Sequence, residues 1–550
     1  MVIPNRFAIV ASVLLFVGPI AFGQPRSPRF ISPALTSTGA FRFGQNDFDV
    51  RYYGLRVRVD PAAKRLSGSV TINATATVPD LQAITLDLSN ILTVESVTSE
   101  NKPLRFTHDG EELRITLASP YQKGTVLSLV VNYSGTPKGE GFSFDTHESV
   151  PMISTYGLPF TARQWWPCKD TPSDKADTAD IEITVPESLV AASNGKLISE
   201  KNNADGTRTF HWYVSYPIYP DVISLAITNY VTFTIPYNYA ADASMPMMFY
   251  VYPEDLGKGK AQFAVLLDIM KSHVALFGQY PFIQEKYGVA EFAIHSYREH
   301  QTLPSFAAHI LTGDHKYDRI LAHELAHQWF GNAISVKSWS HIWLNEGFSQ
   351  YAWALWQEHD LGRDAYMAAM KNLDRDDFDG SIFIRGQDTK NEDKMFSSTT
   401  FNKGAWVLHM LRHVMGDEGF FRALKDYIKI YSFKNADTED YQAVCEKHFR
   451  KSLDWFFKQW IYAEGRPFYK YTWTVKAEAG KQVVQLKVDQ IQTGTQTFRM
   501  PLDVVIATPT GDKSFIAWDE NRSQIFRFEV EEAVKEVRVD PEGWVLKQVK

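Results

Sequence analysis

Cysteine is nearly absent from this chain: 550 residues carry two, Cys168 and Cys445. Thiols so far apart in sequence make no disulfide framework, and the reading is of two separate buried side chains. Charge of one sign is lacking too. The formal net charge is -7, with no long basic run, which excludes the electrostatic footprint of a nucleic-acid-binding protein. Beyond residues 7–22 no stretch is long and apolar enough to cross a membrane. Nothing recurs at a spacing of about 30 to 45 residues, which argues against a helical-repeat array. Large apolar side chains, by contrast, are plentiful: 44% of the chain is hydrophobic, with 36 Phe, 25 Tyr and 14 Trp, ample for several cores. A chain of 550 residues is too long for one core and divides into roughly three domains.

The amino terminus has the form of an export signal. Arg6 supplies a basic start, residues 7–22 are largely apolar but interrupted by Pro19, and Ala21-Phe22-Gly23 places small residues before Gln24. The expectation is a signal peptide over 1–23 and an exported protein, periplasmic or extracellular, with no stable membrane insertion after cleavage. Residues 24–45, rich in Pro, Ser, Gly and Thr, read as an amino-terminal arm. From 46 to 245 short alternating segments such as Leu55-Arg56-Val57-Arg58-Val59, broken by turns such as Asp109-Gly110, predict a β-rich domain. Around Lys260 the period changes to that of helices, recurring over 262–277, 318–332, 348–359, 403–414 and 438–460, so 246–466 reads as mainly helical. Alternation returns after Gly465-Arg466-Pro467, and 467–550 reads as a small β-sandwich. The fold class expected is multidomain α+β.

The chemistry is concentrated in His323-Glu324-Leu325-Ala326-His327 and in Glu346 of Trp343-Leu344-Asn345-Glu346-Gly347. Two histidines four apart on a helix leave from one face and can grip one ion. The pentapeptide pattern alone would occur by chance in roughly one chain in a hundred of this length, so the later glutamate decides the reading. Catalytic zinc takes three protein ligands and keeps a position for water, whose pKa falls to about 7. His323, His327 and Glu346 supply those three ligands, although other divalent ions can occupy such a set. Glu324 then serves as general base toward that water and passes its proton to the leaving amine, the pattern of amide hydrolysis. His309, His315 and His341 have no comparable spacing and read as structural.

Taken with these residues, the chain resembles the zinc aminopeptidases typified by aminopeptidase N, over most of its length. Ala162-Arg163-Gln164-Trp165-Trp166-Pro167-Cys168-Lys169-Asp170 is similar to that family's A-R-x-x-x-P-C-x-D segment, and Gln328-Trp329-Phe330-Gly331-Asn332 continues the zinc segment. Phe456-Phe457-Lys458-Gln459-Trp460 resembles the close of the family's catalytic domain. The resemblance implies a β-saddle amino-terminal domain, a thermolysin-like catalytic domain and a carboxy-terminal β-sandwich, in the short form lacking a helical-repeat domain. It also implies peptide substrates taken from the amino end, with Glu299 of Ser296-Tyr297-Arg298-Glu299-His300 binding the substrate's ammonium group as in the family's G-A-M-E-N segment. Arg298 replaces a methionine that lines the pocket for the first side chain, and so can pair with an acidic residue; His300 is placed with it in substrate binding. Two positions depart from the family. Leu158 stands where a second amine-anchoring carboxylate is expected, and Phe401 of Phe401-Asn402-Lys403-Gly404 stands where a tyrosine stabilises the oxyanion. These departures leave open two alternatives: a zinc hydrolase not requiring a free amino terminus, and a zinc-holding peptide-interaction protein with weak or no catalysis. Asn402 and the hydroxyls of 397–400 are candidate replacement donors.

Overall fold

The computed structural model describes residues 44–550 apart from 140, 158, 294, 295, 379 and 495. The expected signal peptide, all but the last two residues of the expected arm, and Leu158 lie outside the described residues.

The first part is built on strands, as its alternation demands. The eight strands of its largest sheet run in the order Lys196–Asn202, Thr207–Val214, Thr178–Pro186, Phe48–Asp60, Arg65–Ala76, Val126–Gly135, Leu92–Ser99, Lys102–Pro103. Along Phe48–Asp60 the alternating residues Leu55, Val57 and Val59 are buried while Arg56, Arg58 and Asp60 are exposed, the period of a sheet with one wet face. A four-stranded and a three-stranded sheet complete this part. The segment 162–170 ties it together. Arg163 meets Asp170 at 2.7 Å and Asp87 at 3.3 Å, Trp165 and Trp166 are buried, and Cys168 exchanges backbone bonds with Asp87. Both cysteines are buried and unbridged, as expected.

A five-stranded sheet leads into the helical part, ordered Val231–Ala240, Ala243–Val251, Tyr287–Phe292, Ser305–Ala307, Tyr297–Arg298. Its second strand pairs parallel with Tyr287–Phe292, so the division expected at 245/246 falls inside one hydrogen-bonded sheet. These strands alternate like those before them, and only their partners differ. Helices Leu266–Phe277, Asp318–Ala326, Trp343–Leu361 and Gly404–Met415 carry the expected periods, and Arg363–Asn372 and Asp417–Tyr431 are additional to them. Trp343–Leu361 is the central helix, buried almost throughout its first four turns. It meets Gly404–Met415 where Gly347 and Gly404 face each other: a Cβ on either glycine would lie 3.0 Å from the other's backbone. No larger residue permits this approach.

The β-rich and helical parts are bonded across their boundary. Lys175 Nζ donates to the carbonyls of Asn332 and Ala333, both at 2.8 Å, and to that of Lys434 at 3.4 Å. Burial pushes this amine down to about 7. From Phe468 onward the chain forms a four-stranded and a three-stranded sheet, the expected carboxy-terminal β-layers. Among the described residues no helix is long and apolar enough to cross a membrane.

Candidate metal centre and active site

His323 and His327 stand at the carboxy-terminal end of helix Asp318–Ala326, whose Leu321, Ala322, Leu325 and Ala326 are buried. The amide of His327 donates to the carbonyl of His323 at 3.2 Å, so the helical turn is complete and both rings leave one face. Their Nε2 atoms are 3.0 Å apart. Glu346, in the first turn of Trp343–Leu361, places Oε2 3.4 Å from each Nε2. All three side chains are buried.

The donor set fits a tetrahedral ion. Bonds of about 2.1 Å at tetrahedral angles separate neighbouring donors by about 3.4 Å, the spacing Glu346 keeps from both histidines. His327 Nδ1 donates to the carbonyl of Phe330 at 3.0 Å, which leaves the Nε2 lone pair facing the cluster. Two Nε2 atoms this close, with a carboxylate beside them, require a cation among them, either a proton or a metal ion. The titration directions say the same: burial opposes charge on His327, yet Glu346, Glu299 and Glu324 outweigh it and hold that ring up to about 10. Burial likewise opposes charge on Glu346, but His327 and His323 draw it down to about 2. His323, dominated by burial, falls to about 4. The three side chains thus favour one positive charge set against one carboxylate.

Beside the ligands lies a second group. Glu299, Glu324 and His327 offer side-chain atoms all within 4.8 Å of one another. Burial, with Glu299 and Glu346 close by, pushes Glu324 well above the carboxylate range, and its Oε2 is buried without a hydrogen-bond partner. Burial and Glu346 also raise Glu299. Two crowded carboxyls of this kind favour a cationic guest.

The chain just after His327 fixes the segment that bears Glu299, which follows strand Tyr297–Arg298. Asn332 Nδ2 donates to the carbonyl of Glu299 at 2.7 Å, and Gln328 Oε1 accepts from the amide of Thr302 at 2.8 Å. Gln328 Nε2 reaches the carbonyl of His300 at 3.3 Å. Neither Gln328 nor Asn332 stood out as a site residue in the sequence; their place four and five residues after Glu324 and His327 was the available signal.

Phe401 is brought to the centre. It lies in the wide π-helical turn Thr399–Lys403, a form common at functional sites, and its ring stacks on that of His323 with centroids 5.7 Å apart and planes 18° from parallel. Arg298 is half-buried with its guanidinium 3.7 Å from the Tyr156 ring centroid, and Nη1 donates to the carbonyl of Tyr297 at 2.7 Å. His300 is turned elsewhere: Nδ1 bonds Ser305 Oγ at 3.1 Å, and its Nε2 lies against the backbone of Gly157. Burial lowers this ring to about 3. His300 is thus held by Ser305 of the neighbouring strand as a neutral imidazole.

The Peptidase family M1 domain matches residues 290–460, and the Peptidase M1 N-terminal domain matches residues 50–218, together more than half of the chain. The chain belongs to peptidase family M1. Among M1 relatives it is 28% identical to Aminopeptidase M1 of Arabidopsis thaliana, over 81% of this chain and 52% of that one. It is 27% identical to Aminopeptidase M1-A of Oryza sativa subsp. japonica, over 86% and 54%. The chain thus spans about half the length of the curated relatives it matches. The fold matches that of a two-domain M1 zinc metallopeptidase variant bound to L-tryptophan, with TM-score 0.67, 24% identity, and 78% of this chain against 98% of that one. It also matches Legionella pneumophila aminopeptidase A in complex with aspartic acid, with TM-score 0.79, 18% identity, and 94% against 60%. Membership of this zinc metallopeptidase family implies one zinc ion, and His323, His327 and Glu346 form a cluster able to hold it.

Proposed function

We propose that this M1 protein is a zinc aminopeptidase that removes the first residue of peptides. The observation that carries the reading is the adjacency of Glu299 to Glu324 and His327 within 4.8 Å, a cation-seeking carboxylate beside a base beside the ligand set. In any peptide the terminal nitrogen and the first carbonyl carbon are about 2.5 Å apart. An ammonium group held by Glu299 therefore delivers the first peptide bond, and no later one, to Glu324.

Bound zinc supplies Lewis acidity and lowers the pKa of water to about 7. Glu324 accepts the proton of the attacking water and gives it to the departing amine as the C–N bond breaks. Asn332 and Gln328 keep Glu299 in register by bonding the backbone that carries it. Arg298, beside this carboxylate, favours an acidic first side chain.

The test is a panel of free and amino-terminally acetylated aminoacyl amides, assayed with chelator and with zinc restored. Free substrates are cleaved, acetylated ones are not, and chelation stops turnover. Equal cleavage of both forms rejects amine anchoring and favours the broader zinc hydrolase, and no gain for Asp or Glu over Ala or Leu removes the role of Arg298. Phe401 favours one second reading, a zinc-holding peptide-binding protein without useful catalysis, which metal-dependent turnover excludes. We also propose that residues 1–23 are removed on export; intact mass of the mature protein, beginning at Gln24, checks this.

A further inference from the structure

Peptide hydrolysis places negative charge on the carbonyl oxygen as water adds, and a hydrogen-bond donor aimed at that oxygen is a large part of catalysis. Phe401, stacked on His323, has no hydrogen to donate. A cavity of about 490 Å³ opens on these two rings, and its polar lining includes Tyr297, Gln350, Asn402, Ser397 and Ser398. Asn402 is buried, and its carboxamide oxygen accepts from Gln350 Nε2 at 3.2 Å, which ties it into the wall. Ser398 Oγ is directed to the carbonyl of Asp377 at 3.5 Å, and Ser397 Oγ lies 3.5 Å from Thr400 Oγ1; both serines also line the neighbouring cavity away from His323.

Tyr297 is placed otherwise. It begins the edge strand Tyr297–Arg298, held antiparallel to Ser305–Ala307, two residues before Glu299. Its ring borders the cavity together with His323 and Phe401. The charges facing it are the Glu324 and Glu346 carboxylates and the Arg319 and Arg298 guanidinium groups. Burial and the two carboxylates push its phenol up to about 12, so it carries its proton at any working pH.

We propose that Tyr297 is a catalytic residue whose phenol O–H donates a hydrogen bond to the scissile carbonyl oxygen as that oxygen becomes anionic. This rests on the aminopeptidase reading and supplies the donor that position 401 lacks. Water oxygen bonds to the carbonyl carbon, the π pair moves onto oxygen, and Tyr297 stabilises it without giving up its proton. When the pair returns, the C–N bond breaks and the amine leaves with the proton held by Glu324.

Tyr297→Phe removes the hydroxyl alone. With zinc content and thermal midpoint unchanged, kcat is expected to fall by about a hundredfold to a thousandfold while KM moves less than about threefold. A phosphinic dipeptide, which mimics the tetrahedral oxygen, loses affinity for the zinc-loaded protein by a similar factor, whereas the product amino acid does not. Adding Phe401→Tyr to Tyr297→Phe restores at least about tenfold of the lost rate. Parental rate and parental phosphinate affinity in Tyr297→Phe overturn the proposal, as does a comparable loss appearing in Asn402→Ala in its place. If the parent turns over no substrate, the functional reading fails by itself and the phosphinate still decides: weaker binding by Tyr297→Phe upholds the donor, and equal or absent binding by both proteins refutes it.

Discussion

Gly404→Ala adds one methyl group at the contact that sets Glu346 against the two histidines. Its Cβ would lie 3.0 Å from Gly347 Cα and 3.7 Å from Gly347 N. Carbon atoms rest at about 3.5 to 4.0 Å, so helices Trp343–Leu361 and Gly404–Met415 must separate by roughly 0.5 to 1 Å, since the tight contact is with a backbone atom, Gly347 Cα. Overpacking of this kind costs about 1 to 3 kcal/mol, and replacing a helical glycine by alanine offsets about 0.5 to 1 kcal/mol of it. The net destabilisation expected is about 1 to 2 kcal/mol. The larger effect is on the metal: Glu346 precedes Gly347 and moves with it, while ligand distances tolerate only about 0.2 Å. Zinc affinity should fall by about tenfold to a hundredfold, the range for lost support of a ligand. Unfolding of the metal-free protein measures the first quantity, and competition against a chromophoric chelator measures the second. Gly419→Ala is the control: the nearest atom to its added Cβ is the Met415 Cβ at 3.7 Å, an ordinary contact, so no loss is expected. A Gly404→Ala protein with parental zinc affinity and unfolding midpoint would refute the claim that this contact positions Glu346.

Glu324→Gln should retain zinc and lose nearly all hydrolysis, whereas His327→Ala should lose zinc as well; metal content by mass spectrometry beside turnover separates the two, and full-rate hydrolysis by Glu324→Gln would overturn the mechanism. Glu291 offers a test by pH. Its Oε2 accepts from the amide of Tyr252 at 2.7 Å, and burial pushes its carboxyl up to about 8 from 4.5. The folded state therefore keeps a proton that the unfolded chain releases, so this contribution to stability is full below about pH 4.5 and is lost as pH rises through about 8. Glu291→Gln should reduce the loss of stability between pH 5 and 8.5 by an amount on the order of a few kcal/mol. Parallel stability curves for parent and variant would contradict this.

The ligand set was legible because helical geometry converts a four-residue spacing into a shared face, and Glu346 follows on a helix whose periodicity is equally clear. Glu299 was reached through resemblance rather than through spacing, since a loop-like stretch of mixed residues carries no period. What the sequence left unread depends on distant partners. The edge strand Tyr297–Arg298 has two residues and exists by pairing with Ser305–Ala307. The sheet crossing 245/246 mixes parallel and antiparallel neighbours that no local pattern distinguishes. Asp417–Tyr431 is a different kind of omission. Phe420, Ala423, Leu424, Tyr427 and Ile428 recur at helical spacing and are buried, a pattern available without any structure.

Lys175 bears on how such a protein can change over generations. It lies in the segment matched by the amino-terminal domain of family M1, and the three carbonyls it caps lie in the segment matched by the peptidase domain. One of those carbonyls belongs to Asn332, whose side chain steadies Glu299. A chimaera that paired this peptidase segment with a first segment lacking a cation at 175 would leave those carbonyls without that donor, one of them on the residue whose side chain bonds the Glu299 carbonyl. The two segments are recognisable separately, yet they share this side chain's bonds across their boundary, so a change at position 175 of one is felt at three carbonyls of the other.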